Sequence, residues 1–195
     1  MKELTLEFAE ILGLLCAEGS HILAYSTYYE NKNGKKRLRK NKKSERIEFY
    51  NKNLKLLLHY QGLLQKSFSY TPKITKHGKI NICTSSIIKD IIQHTELGCD
   101  KWQVPKMLKK SNIKTKISFL RGYFDGDGTT SNIIRLFSVN KESLLNVLNL
   151  IKELGFKATF QGPILKKDRR PSYIIKLSRK ERERFLNVIK PISKI

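Results

Sequence analysis

The sequence predicts an α+β protein built as two unequal copies of an αββαββα unit, and three observations predict it. A short segment of small residues ending in an acid occurs twice, as Ile11-Leu-Gly-Leu-Leu-Cys-Ala-Glu-Gly19 and Leu120-Arg-Gly-Tyr-Phe-Asp-Gly-Asp-Gly128. Similar strand-like and helix-like stretches follow each copy in the same order. The chain has 195 residues, enough for two small half-domains that share one core.

In the first copy, His21 to Tyr29 and Glu45 to Tyr50 carry the aromatic and alternating residues of strands, and Asn53 to Leu64 spaces its leucines as a helix does. Lys73 to Lys76 and Lys79 to Cys83 flank His77-Gly78, a tight-turn pair that predicts two more strands, and a last helix is expected beyond them. In the second copy, Ile133 to Val139 reads as strand and Lys141 to Leu154 as a helix ended by Gly155. Lys157 to Gln161 and Tyr173 to Leu177 form another strand pair, and Arg179 to Ile189 is a helix stopped before Pro191. The units are expected at residues 1–99 and 113–195, joined by a connection over 100–112. Asn51-Lys52 is matched to Asn140-Lys141, which leaves extra residues between the first two strands of the first copy. Those residues, Asn31 to Lys43, hold eight Lys or Arg and no acid, and are expected to form a basic loop.

Thirty-nine Lys and Arg against seventeen Asp and Glu leave a formal net charge of +22, which points to a polyanionic partner, nucleic acid first. No apolar stretch is long enough to span a bilayer and the N-terminus lacks a secretory pattern, so no membrane partner and a soluble intracellular protein are expected. Cys16, Cys83 and Cys99 are widely spaced without zinc-ligand neighbours and read as reduced, structural cysteines. His21, His59, His77 and His94 are scattered and give no support to a histidine metal site.

Each repeated segment carries a small residue four positions after a glycine, Gly13 with Ala17 and Gly122 with Gly126, so two such helices can pack backbone to backbone. The acids Glu18 and Asp127 stand just past these stripes and are expected to converge. Two converging carboxylates must share a proton or hold cations, and hard divalent ions suit them. With a phosphodiester substrate, such ions imply hydrolytic strand cleavage. A calcium-loop reading of Asp125-Gly-Asp-Gly-Thr fails, because its twelfth position is Ile134 rather than Glu.

Leu120 to Gly128 resembles the nine-residue signature of the LAGLIDADG homing endonucleases, and Ile11 to Gly19 is a looser copy. The resemblance extends through the strand and helix order over nearly the whole chain. It implies a monomer of the two-motif type whose two antiparallel sheets form a saddle astride double-stranded DNA. It also implies Mg²⁺ or another hard divalent cation held by Glu18 and Asp127, with Ala17 and Gly126 beside them. Metal-dependent double-strand cleavage of a long pseudo-palindromic site follows, across the minor groove with short 3′ overhangs. At the sixth motif position stand Asp125 in one copy and Cys16 in the other, so only the eighth-position acid can act in both. The family pattern further implies a basic residue near the end of each unit; Lys101 and Lys194 occupy such places, with Lys109, Lys110 and Lys190 as competitors.

Alternation assigns candidate DNA contacts. Lys79 and Asn81 share one strand face, and Arg135 and Lys176 alternate with apolar neighbours. Lys73 and Lys76 are further base or phosphate readers, while Lys35, Lys36, Arg37 and Arg39, with Lys166, Arg169 and Arg170, are expected along the phosphate backbone at the flanks. Phe119, Tyr123, Phe124 and Phe137 read as core; Tyr25, Tyr28 and Tyr29 stay open, and Trp102 packs in the connection. A rival of a different class is a binding-only protein of the same fold, a DNA-binding regulator or a maturase whose partner is intron RNA.

Overall fold

The computed structural model describes residues 4–194 and has the predicted α+β architecture, with one antiparallel sheet in each half. The first half comprises helix α1 (Leu6–Glu18), strands β1 (Gly19–Lys32) and β2 (Lys35–Tyr50), helix α2 (Leu54–Phe68), strand β3 (Lys79–Ile82) and helix α3 (Ser85–Ile92). A single 3₁₀ turn (Lys106–Lys110) lies in the connection. The second half comprises α4 (Ile113–Asp127), β4 (Gly128–Thr129), β5 (Ile134–Ser138), α5 (Lys141–Glu153), β6 (Ala158–Ile164), β7 (Ser172–Leu177) and α6 (Arg179–Ile189). The first sheet has strand order β1-β2-β3 and the second β4-β5-β7-β6.

Side-chain caps start most of these helices where the sequence changes character. Thr5, Asn53, Asn112 and Asn140 each accept a hydrogen bond from a backbone N–H in the first turn, satisfying a donor the helix leaves free. Gly155, at φ +80°, follows α5 in the left-handed region that a side chain disfavours.

Both sheets bury one face. Ile47 and Phe49 of β2 pair with Ile82 and Ile80 of β3 over α2, and Ile134 and Leu136 pair with Leu177 and Ile175 over α5. The other face of the first sheet carries Arg46, Glu48, Lys79 and Asn81; that of the second carries Arg135, Phe137, Lys176 and Gln161. Phe137 is therefore half-buried on the outer face rather than in the core, because its neighbours Leu136 and Ser138 alternate with it.

The predicted basic loop at 31–43 is not a loop. β1 and β2 run on as one long hairpin whose turn is Asn33-Gly34, both at positive φ, the geometry that Asn-Gly prefers and that matches strand twist. A bulge interrupts it between Ser26 and Tyr28, opposite Asn41. The charge run hides these strands because they project beyond the core and need no hydrophobic alternation. The predicted pair over 73–83 is likewise reduced to β3 and one isolated bridge, Ile74 to Ile80, around Gly78 at φ +72°.

The matching of Asn51 to Asn140 also needs correction. Asn53 caps α2 through the backbone N–H of Leu56 as Asn140 caps α5 through that of Ser143, and the N–H of each cap is held two residues back, by Asn51 Oδ1 and Ser138 Oγ. Asn53 is thus the partner of Asn140, and Asn51 that of Ser138.

The halves meet through α1 and α4. A methyl group on Gly13 would overlap the Phe119 carbonyl oxygen, and one on Gly122 the Glu10 carbonyl oxygen, so the two backbones touch where the glycines fall. About 12 Å along α1 from Glu18, buried Glu10 joins His59 Nε2 at 2.6 Å and Arg121 at 3.0 Å, and Arg121 Nε donates to the Ile189 carbonyl at 2.8 Å. This cluster ties four helices from both halves; no sequence pattern announces it, since its members lie far apart in the chain. Trp102, buried and 4.9 Å from the Tyr123 ring, fixes the connection, and its carbonyl accepts from Asn140 and Ser143 at the start of α5.

Candidate active site and nucleic-acid interface

Glu18 and Asp127 are the last residues of α1 and α4, and each helix hands over at once to a strand through a glycine in extended backbone, Gly19 and Gly128. The small-residue stripe brings the two ends together. A Cβ on Gly126 would overlap that of Ala17 and stand 3.1 Å from Cγ of Glu18, so Gly126 is what lets the two acids share one space. Burial, then the negative charge of Glu18, push the Asp127 carboxyl up to about 8, with Lys194 opposing them. Glu18 is also raised, by burial, again opposed by Lys194. Two neighbouring carboxylates whose charges are opposed by a single lysine are under-neutralised, which is the electrostatic condition for a cation site.

Among the described residues no group of three His, Cys, Asp or Glu could hold a metal ion. The two carboxylates fit a hard divalent ion whose remaining positions would go to oxygen from the chain, water or a phosphate; the carbonyls of Ala17 and Gly126, one residue before each acid, are candidates. Asn51 Nδ2 lies 3.5 Å from Glu18 Oε1 and orients it, a pairing that the sequence does not foretell.

The sixth motif position has a structural task in both copies. Asp125, buried, accepts from the backbone N–H of Ile192 and Ser193 at 2.8 and 2.7 Å and from the Ser193 hydroxyl at 2.7 Å. Cys16 Sγ stands 3.7 Å from Thr95 Oγ1 and 3.7 Å from the Gln103 carbonyl, and its burial pushes the thiol up to about 12. Each residue pins the chain that follows the last helix of its own half. Asp125 thereby delivers Lys194, whose carbonyl is further held by the Thr130 hydroxyl at 3.2 Å.

The two candidate lysines fare differently. Lys194 acts on both carboxyls; Lys101 is exposed in the connection and its charge is not among those that shift either acid. Removing the charge with Lys194→Met should raise the Asp127 pKa further, because the lysine now lowers it. The carboxyl-carbon shift of Asp127 followed against pH in metal-free protein checks this; a midpoint that stays put would place Lys194 away from the pair.

Several candidate DNA contacts are held in place by acids. Lys79 and Arg46 flank Glu48 at 3.3 and 2.8 Å, and hydrogen bonds from Arg46 and Lys79 keep the Glu48 carboxyl below its usual range. Arg39 pairs with Glu30 at 2.9 Å, and Arg170 with Asp100 at 2.6 Å. Arg135 donates to the Ser131 hydroxyl at 3.2 Å. Lys35, Arg37 and Arg39 share the hairpin face of Arg46 and Glu48 by register, whereas Lys36 falls on the opposite one. Lys73, Lys76, Lys166 and Arg169 are exposed, and Lys176 sits beside Arg135 on the outer face. Of the cysteines, Cys83 and Cys99 are exposed rather than structural.

Two helices joined through small residues, an acid at each helix end, and a sheet continuing from each acid define the LAGLIDADG fold, with both motif copies in one chain. Residues 114–190 match the family model of the LAGLIDADG-like domain. The structure is similar to that of mesophilic variants of the homing endonuclease I-DmoI, with a TM-score of 0.64, 19% identity and 94% of each chain covered. It is also similar to I-DmoI in complex with DNA and Mn (TM-score 0.62, 18% identity, 94% of this chain and 95% of that one). The K262A mutant of I-SmaMI aligns with a TM-score of 0.58 at 14% identity over 97% of this chain and 86% of that one. Among curated proteins, a DNA polymerase of Methanocaldococcus jannaschii is 25% identical over 161 residues, 78% of this chain but 9% of the polymerase. The chain thus spans a small part of that relative's length. No helix among the described residues is long and apolar enough to cross a membrane.

Proposed function

We propose that this chain is a site-specific endonuclease that hydrolyses both strands of double-stranded DNA, with Mg²⁺ or another hard divalent cation held by Glu18 and Asp127. The observation that carries this reading is the pair itself: two half-buried, mutually repelling carboxyls at the meeting point of two helices, with one lysine charge acting on both. Such an arrangement costs stability in the apo protein and gains a use when a cation is bound. The cation supplies a polarised phosphoryl oxygen and a more acidic water. Glu18 and Asp127 would hold the ion, Asn51 orients Glu18, and Lys194, whose charge acts on both carboxyls, would offer its ammonium to the phosphate. The I-DmoI complexes with DNA and Mn and with DNA and Ca support a nucleic-acid substrate and a divalent ion. Residues 1–99 and 113–195 act as half-site readers joined by 100–112, and cleavage across the minor groove leaves short 3′ overhangs.

Incubating the protein with Mg²⁺ and a DNA pool that spans candidate target sites, then mapping the ends, tests the proposal directly. Paired breaks at one sequence are expected; intact DNA at every metal concentration would leave a binding protein and refute the enzyme.

The substrate surface is the outer face of both sheets and of the long hairpin. Replacing Lys35, Arg37 and Arg39 by Ala should weaken binding to all duplexes and flatten the salt dependence by roughly one counterion for each phosphate no longer neutralised. A salt slope identical to the parent's would mean this face does not meet DNA.

Stoichiometry is set by the two unlike copies. A single chain already brings two acids together, so one chain should bind one asymmetric duplex, and light scattering should give a one-to-one complex. A two-to-one complex that prefers a perfect palindrome would mean the acids pair between chains instead.

A further inference from the structure

Beyond the core, the β1-β2 hairpin has two exposed faces of different chemistry. The register places Tyr28, Arg37 and Arg39 on the face that continues the outer, basic side of the sheet. The opposite face continues the core side past the point where helices cover it, and carries Leu23, Tyr25, Tyr29 and Leu38 together with Lys36 and Lys43. Tyr25 and Tyr29 are 65% and 70% exposed, Leu23 and Leu38 48% and 43%, so this is an uncovered aromatic and aliphatic strip. Lys43 is shared with Glu45 at 3.4 Å; no other acid shares this strip. Of the eight basic residues in segment 31–43, Lys36 and Lys43 lie on this strip, while Lys32, Lys35, Arg37, Arg39 and Lys42 lie on the outer face.

We propose that this rear face binds an unpaired nucleic-acid strand, separately from the duplex on the outer face. The chain's formal net charge of +22, with Lys36 and Lys43 on the strip itself, selects a polyanion over an apolar protein surface. The exposed rings select unpaired bases, because a duplex hides its base faces in the stack, whereas a single strand can lay them on tyrosine. The two Tyr side chains lie on one strand at like parity, about 13 Å apart along it, so successive parts of one strand can stack on both. The proposal uses the outer face as the duplex side but does not depend on cleavage.

The test uses the full chain carrying Asp127→Asn and a short, unstructured, fluorescently labelled oligonucleotide, in RNA and DNA arms that separate the two sources of such a strand. Anisotropy is followed with and without saturating duplex target. Binding in at least one arm is expected, persisting when duplex is present. Tyr25→Ala with Tyr29→Ala should lower that affinity about tenfold and leave duplex affinity unchanged; circular dichroism and thermal melting confirm that the hairpin variant is folded. Displacement of the strand by duplex, equal loss of duplex binding in the tyrosine variant, or single-strand affinity unaffected by it would each overturn the proposal. Because duplex binding and single-strand binding are read separately, failure of one does not mask the other.

Discussion

Asp127→Asn is expected to abolish double-strand cleavage while leaving duplex affinity within about tenfold, and at the same time to make the metal-free protein more stable. The two effects have one cause. In the folded protein the Asp127 carboxyl is raised from 3.8 to about 8, chiefly by burial and then by Glu18. Between those values the native state binds more protons than the unfolded chain, so stability falls as pH rises from about 4 to about 8 and stays low above it. At roughly 1.4 kcal/mol per unit, the cost at pH 8 is on the order of 3 to 6 kcal/mol, shared with Glu18 through their coupling. Asparagine cannot ionise and removes it. Thermal melts in chelator at pH 5 and pH 8 should show the parent losing stability at the higher pH and the variant losing much less, a difference of about 10 °C. Divalent cation should restore the parent and do little for the variant. Glu18→Gln should likewise give no double-strand breaks. Undiminished cutting by Asp127→Asn, or a parent whose metal-free stability ignores pH, would remove the assigned site.

The second large effect is expected at the helix seam. Gly122→Ala puts a methyl group into the Glu10 carbonyl and 2.8 Å from the Leu14 nitrogen, and Gly13→Ala puts one into the Phe119 carbonyl and 2.9 Å from the Tyr123 nitrogen. These neighbours are backbone and cannot rotate away. The helices must separate, which unpacks the core between the halves and pulls Glu18 from Asp127. A loss of about 3 kcal/mol or more is expected for each. Gly62→Ala, in α2 with open space where its methyl would go, should instead gain up to about 1 kcal/mol by the ordinary helix preference for alanine. Urea melts of the three variants decide the matter: if Gly122→Ala and Gly62→Ala move in the same direction, the seam is not close-packed at Gly122.

The legible elements are those whose reasons are local. Arg179–Ile189 forms a helix with the predicted bounds, and the α5 helix ends before Gly155, because apolar spacing and a glycine at positive φ are both written within a few residues. The small-residue stripes predict that two helices can touch, since only residues without bulk permit it. The hairpin escapes a sequence reading for the complementary reason: its outer strands are held by backbone pairing and an Asn-Gly turn rather than by burial, so no hydrophobic alternation marks them. Fold class is thus determined by the sequence itself, which also singles out Glu18 and Asp127 as the paired acids of the two repeats. Only the tertiary structure decides that Asn51 reaches Glu18, that Asp125 and Cys16 anchor the chain after the last helix of their halves, that Lys194 rather than Lys101 acts on the acids, and that Glu10 joins His59 and Arg121 across the seam. Each of these joins residues far apart in the chain, from 33 positions for Asn51 and Glu18 to 176 for Lys194 and Glu18. Periodicity and local propensity carry no information at that separation; the packing of α1 on α4 supplies it.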